Sequence, residues 1–190
     1  QERCLDRCIL GSISTWVVAK QISSGYQPIS GLTISDAVYQ VIREQSAEFG
    51  MFGHGYTYSG HPVPAAVALE TLKIYEERNI VERVNDVSTR FAKSIANFSS
   101  HPMIGTTRSI GLIGAIELVQ EKTKKIFFDP SLKVGAHLVS KAQEEGLILR
   151  VLPGEIIAFC PPLIIKKTEI DEMFLRFQKA LDATASHFSI

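Results

Sequence analysis

The chain has 190 residues, of which 45% are apolar and 21% charged, the composition of an ordinary globular protein. Its 20 basic residues balance 20 acidic ones, so bulk charge gives no reason to expect a nucleic acid or an anionic membrane as partner. No apolar run is long enough to cross a membrane. With 3 cysteines no disulfide framework is predicted, and we expect a cytoplasmic protein.

Two short strands and a helix are predicted near the start of the chain. Residues 16–19 are apolar and end at Lys20, and residues 29–34 have the residue types of a second strand. Turn-forming residues separate the two, which predicts that they are neighbours. Ser35 and the acidic residue after it have the pattern that begins a helix.

A long loop and several helices are predicted next. Residues 48–64 are rich in glycine and aromatic side chains, and loops of this length in compact domains are usually functional. Apolar residues at intervals of three and four predict a long helical stretch from residue 62 to residue 98. A helix over residues 133–145 is closed by Gly146, and a last helix begins near Thr168. Strands are predicted over residues 103–108, 112–119, 147–152 and 155–159.

Lys20 is the first candidate for chemistry. An amine at the end of a buried strand is partly desolvated, which favours the unprotonated form that condenses with an aldehyde. The alternative is a solvent-exposed lysine at a strand end.

The loop "FGHGYTYSGHP" is the second candidate. Its glycines allow backbone N–H groups to approach an anion such as phosphate, and Thr57 and Ser59 add hydroxyl donors. The alternative is a structural turn with packed aromatic side chains, since neither the Walker pattern nor the dinucleotide fingerprint is present.

Two arginines follow apolar stretches. Arg150 ends a strand run, and the planar guanidinium group suits two-pronged binding of a carboxylate; the alternative is an edge-strand arginine in solvent. A structural role is favoured for Arg108. The histidines have no metal-ligand spacing, and Cys4 and Cys8 have no second pair, so no metal site is predicted.

Four segments together resemble class III (omega) aminotransferases, which are pyridoxal-phosphate enzymes of the aspartate aminotransferase fold type. They are "VVAKQISSGYQPISG", "HGYTYSGHPVPAAVALE", "GLILRVLPGEIIAFCPPLII" and "TEIDEMFLRFQKALD", in family order. The resemblance implies an α/β fold, namely the C-terminal part of the fold type I architecture. Residues 16–100 would be a remnant of the cofactor-binding large domain with its long linking helix, and residues 101–190 the small C-terminal α/β domain. Residues 1–15 do not match.

The resemblance also implies residue roles. Lys20 would bind pyridoxal 5'-phosphate as a Schiff base and then move the proton during amino-group transfer. Thr57 would bind the cofactor phosphate in the site of a neighbouring subunit, with Tyr56 lining the same shared site, which implies a homodimer. Arg150 would bind the carboxylate of an α-keto acid, such as pyruvate, or of an amino acid donor.

Some family features are expected upstream of Gln1. They are the aspartate that pairs with the pyridinium nitrogen, the Gly-Ser phosphate turn and the aromatic residue that stacks on the ring. The resemblance therefore implies a truncated aminotransferase. The alternatives are a non-catalytic remnant that serves as a dimerising or interaction module, and another pyridoxal-phosphate activity, such as an aminomutase or a decarboxylase, on the same scaffold.

Overall fold

The computed structural model describes residues 15–190, which form two compact units divided between Arg78 and Asn79. The predictions for residues 1–14, with Cys4 and Cys8, lie outside the described residues.

The first unit combines a two-stranded antiparallel sheet with two helices. Its elements are β1 (Thr15–Ala19), β2 (Ser30–Ile34), α1 (Asp36–Phe49) and α2 (Pro62–Glu77). The predicted helix start is confirmed, because the Ser35 hydroxyl accepts a hydrogen bond from the Val38 amide at 3.4 Å. A 3₁₀ turn over Lys20–Ser23 connects β1 to the loop before β2 and packs against α2.

The strand before Lys20 is present, but it is not buried as the sequence predicted. Val17 is 75% exposed, and Leu32, opposite it on β2, is 63% exposed. The apolar residues of β1 therefore have only β2 beside them among residues 15–78, and a two-stranded sheet is too small to bury its own faces.

The second unit is a four-stranded antiparallel sheet covered by helices. Its elements are α3 (Ile80–Asn97), β3 (Ile104–Ile110), β4 (Ile113–Leu118), α4 (Val134–Glu144), β5 (Arg150–Leu152), β6 (Ile156–Phe159) and α5 (Lys167–Phe188). The strands lie in the order β3-β4-β6-β5.

One face of this sheet and the stripes of α3 and α5 form the core. The apolar periodicity predicted for the helical stretch that ends at residue 98 is confirmed, since Phe91 and Ile95 of α3 are at most 1% exposed. Phe177 of α5 is fully buried as well. The Phe177 ring meets the rings of Phe98 and Phe159 edge to face, each with centroids 5.0 Å apart. Ile116 and Ile157 close the core from the sheet and are fully buried.

Two predicted boundaries differ from the structure. The long helical stretch is divided, because Asn79 takes a left-handed conformation with φ 46° and separates α2 from α3. Strand β5 starts at Arg150 rather than at residue 147. Leu147 instead donates its amide to the Ala142 carbonyl and completes the end of α4.

Candidate functional site

Lys20 is the first residue after β1, and its backbone has an unusual conformation. Its φ is 58°, in the left-handed region, and its side chain is exposed. Left-handed non-glycine residues are uncommon and persist where the surrounding structure holds them. Here the fully buried Ser23 donates its hydroxyl to the Gln27 carbonyl at 2.6 Å and to the Lys20 carbonyl at 3.4 Å.

A tyrosine of α2 adds a second support for this turn. The hydroxyl of Tyr75 is 2.7 Å from the Ser24 hydroxyl, and it donates to the Gln21 carbonyl at 3.3 Å. These bonds connect the turn after Lys20 to a helix more than fifty positions along the chain. The sequence contains no local signal for this contact, so sequence reasoning did not find Tyr75.

Short-range hydrogen bonds connect residues of the loop before α2, in which residues 51–61 are exposed. The amide of Ser59 donates to the Tyr56 carbonyl at 2.9 Å, and the Tyr56 amide donates to the Ser59 hydroxyl at 3.1 Å. The Nδ1 atom of His61 accepts the Val63 amide at 3.2 Å and caps α2. His54 contacts Tyr56 edge to face with ring centroids 5.5 Å apart.

Lys20 and this loop line the same open cavity of about 1190 Å³ in the first unit. Tyr56, Tyr58 and Ser59 are among its lining residues, together with parts of β1 and β2. Thr57 lies between two lining tyrosines but is not itself a lining residue. Neither its hydroxyl nor its amide has a hydrogen-bond partner within residues 15–190.

Arg150 belongs to the second unit, where it is the first residue of β5. It pairs with Ala158 of β6, and its side chain is exposed. It takes part in no ion pair or side-chain hydrogen bond with the rest of the described chain. Lys20 and Arg150 thus belong to different units.

Two negative findings apply to residues 15–190. None of the helices there is both long and apolar enough to cross a membrane. Nor do the histidine, cysteine and acidic side chains of this part of the chain form a group of three or more that would hold a metal ion.

Comparisons with known proteins agree on one family. The family model "Aminotransferase class-III" matches residues 15–181. Gamma aminobutyrate transaminase 3, chloroplastic, of Solanum lycopersicum is 45% identical over 167 residues, which are 88% of this chain and 32% of that protein. An uncharacterized aminotransferase of Sinorhizobium fredii is 40% identical and is covered over 36% of its length.

Solved structures of transaminases have the same fold. A structure titled "Transaminase with L-ala" superposes with a TM-score of 0.89 at 38% identity, and covers 98% of this chain and 43% of that one. The omega transaminase of Pseudomonas jessenii in complex with PMP has a TM-score of 0.86 at 41% identity, with coverage of 91% and 38%. The chain thus spans about a third of the length of the curated relatives that it matches, 32% for the Solanum protein.

Proposed function

The chain belongs to the class-III aminotransferase family, and from this premise we propose that it contributes the cofactor-binding lysine and the carboxylate-binding arginine of an aminotransferase. The reaction is the transfer of an amino group from an amine or amino acid to an α-keto acid. One observation carries the proposal: Lys20 lines a single cavity together with the glycine-rich loop.

Class III aminotransferases depend on pyridoxal phosphate, which supplies an aldehyde and an electron-withdrawing ring when bound. The cavity lining fits the aldehyde and the phosphate of this group. Lys20 is the one lysine or arginine among the residues that line the cavity, and the lining contains no Asp or Glu. The local charge therefore favours the binding of an anion. The lining contains no carboxylate for the ring nitrogen.

Each proposed residue has a distinct task. Lys20 would hold the cofactor through its Nζ atom, and the same amine would serve as the base that moves a proton on the substrate carbon. The hydroxyl and the amide of Thr57, which have no hydrogen-bond partner within residues 15–190, would bind phosphate oxygens in the site of the neighbouring subunit, with the Ser59 hydroxyl as a neighbouring donor. Tyr56 lines the cavity. Arg150 binds the substrate carboxylate through its two parallel N–H donors.

A homodimer is the proposed assembly. It is supported by the apolar surface at the end of α1 and the start of the loop, where Phe49 is 75%, Met51 90% and Phe52 58% exposed. Exposed apolar patches of this kind commonly mark association surfaces. Sedimentation of the purified chain tests the proposal, which requires a dimer that Phe52→Ser weakens.

The compartment remains a prediction. The relatives include proteins named as chloroplastic and as mitochondrial, so membership of the family is compatible with more than one location.

Trapping of the cofactor tests the role of Lys20. The purified chain is mixed with pyridoxal phosphate, reduced with borohydride and analysed by intact-mass and peptide mass spectrometry. We expect one adduct, on Lys20, that disappears in Lys20→Ala. Thr57→Val should raise the pyridoxal phosphate concentration needed for half-maximal trapping about fivefold, since a hydrogen bond to a charged group contributes about 1 kcal/mol or more.

Lys125→Ala is the matched control, because Lys125 is also an exposed lysine with a left-handed backbone, φ 53°. Circular dichroism establishes that each variant folds. An adduct that persists in Lys20→Ala, or that Lys125→Ala reduces equally, contradicts the proposal. The absence of any specific adduct in the folded chain favours the non-catalytic alternative. Amine-donor assays with pyruvate as acceptor distinguish transamination from the aminomutase and decarboxylase alternatives.

A further inference from the structure

Two exposed arginines of the second unit, Arg108 and Arg150, lie on one row of its sheet. Arg108 of β3 is paired with Ala115 of β4, Ala115 with Ala158 of β6, and Ala158 with Arg150 of β5. Residues paired across antiparallel strands point to the same face. The row therefore reads Arg-Ala-Ala-Arg from one edge of the sheet to the other.

This row is on the face opposite the core. Ile116 and Ile157, one position along from the two alanines, are fully buried, whereas Arg108 and Arg150 are exposed. Because side chains alternate between faces, the alanines form a shallow floor on the outer face with a guanidinium group at each end.

Larger side chains flank the floor on both sides. Ile113, two residues before Ala115 on β4, is 61% exposed and stands on the same face. On the other side, Glu117 and Ile156 are paired with each other and are half-buried. The outer face thus has a trough that runs across the strands from Arg108 to Arg150, with an apolar floor and mostly apolar sides.

Within residues 15–190, neither end of the trough has a charged partner. Neither Arg108 nor Arg150 takes part in an ion pair or side-chain hydrogen bond with any other residue of the described chain. Glu117 is the acidic residue on the adjacent row, and no ion pair joins it to either arginine. Two free guanidinium groups with a short apolar floor between them are complementary to two carboxylates separated by methylene groups.

We propose that this trough binds a dicarboxylate with a short aliphatic spacer, with Arg108 holding the carboxylate that is distal to the one bound by Arg150. The inference rests on the proposed role of Arg150 and adds Arg108 as the residue that selects dicarboxylic over monocarboxylic substrates. Three strand spacings separate the two arginine Cα atoms by about 14 Å. Arginine side chains that lean inward from both ends leave room for a chain of about five carbons.

The test compares glutarate with valerate, which has the same number of carbons and one carboxylate fewer. Binding to the purified chain is followed by NMR through the arginine side-chain Nε–H signals. We expect glutarate to bind more tightly than valerate and to shift the signals of both arginines. Arg108→Gln should weaken glutarate binding about fivefold, as for the loss of about 1 kcal/mol from one exposed ion pair, and leave valerate binding unchanged.

Three further variants complete the design. Arg150→Gln should weaken the binding of both glutarate and valerate. Glu117→Gln should strengthen glutarate binding because it removes a negative charge beside the trough. Arg43→Gln is the matched control, since Arg43 is an exposed arginine of α1 in the first unit. Thermal unfolding establishes that the variants remain folded.

The inference is overturned if the Arg108→Gln variant binds glutarate as tightly as the unaltered chain does. It is overturned as well if Arg43→Gln weakens glutarate binding equally, because bulk charge alone would then explain the binding. It is also overturned if valerate binds as tightly as glutarate. If Arg150→Gln changes neither ligand, the role of Arg150 fails together with the trough. Trapping at Lys20 is a separate readout, so loss of the trough and loss of the proposed aminotransferase function are distinguishable.

Discussion

The carboxylate of Glu155 accepts a hydrogen bond from the backbone amide of Gly135, and this bond connects the β5–β6 turn to the first turn of α4. Lys133, the residue before α4, contributes no side-chain cap. Glu155 therefore satisfies an amide that the helix itself leaves unpaired, and its negative charge is favourable at a helix N-terminus.

Gly135→Ala should destabilise the second unit. A Cβ atom at this position would be 2.6 Å from the Glu155 carboxylate oxygen Oε2 and 2.6 Å from a methyl group of Val151. Alanine favours helix by about 1 kcal/mol over glycine, but the clash involves a strand side chain that cannot move freely. We expect the free energy of unfolding to fall by about 1–3 kcal/mol in urea titration. Gly55→Ala, where a Cβ meets nothing within 4 Å, is the control; an equally stable Gly135→Ala would contradict this packing.

Tyr75→Phe should impair the lysine site without touching it. The substitution removes the hydroxyl that bonds to Ser24 and Gln21, so the turn after Lys20 loses a support of about 1 kcal/mol. We expect cofactor trapping at Lys20 to require an about fivefold higher pyridoxal phosphate concentration, with helix content unchanged. Tyr39→Phe is the matched control, because Tyr39 is an exposed tyrosine of α1. Equal trapping in Tyr75→Phe and the unaltered chain would mean that the turn holds its conformation by itself.

The stability of the second unit should fall as the solution becomes acidic, through His137. Its ring stacks on that of His187 with centroids 4.3 Å apart, and its Nε2 atom is buried with no partner among the described residues. Burial lowers the pKa of His137, the charges of His187 and Lys141 lower it further, and Glu144 opposes them.

Because the folded-state pKa of His137 is below its unfolded value, the unfolded chain binds more protons in the interval between them. The contribution of His137 is therefore present above the unfolded pKa of about 6.5 and is lost as pH falls through the folded pKa. We expect the free energy of unfolding to decrease as the pH falls below about 6.5, and His137→Gln to flatten that dependence. His101→Gln should flatten it as well, since burial also lowers the pKa of His101 against the opposing charge of Asp182. An unchanged slope in His137→Gln would contradict the assignment.

The local elements and the family were accessible from the sequence because each depends on short-range patterns. The α/β class and the family resemblance are confirmed. The Ser35 cap and the apolar stripe of α5 follow from residue type and a period of 3.6. Even the helix break at Asn79 had a local signal, since asparagine tolerates the left-handed region, although the stripe that continues past it concealed the break.

The sequence by itself determined where chain segments become strands and helices and which family they belong to, since periodicity and turn chemistry act over a few residues. Only the tertiary structure decided which distant residues become neighbours: Tyr75 beside the Lys20 turn, the loop beside Lys20 in one cavity, and Arg108 on the same sheet row as Arg150. These relations depend on strand order and register across the whole sheet, and on helix packing between residues far apart in the chain, which no local pattern specifies.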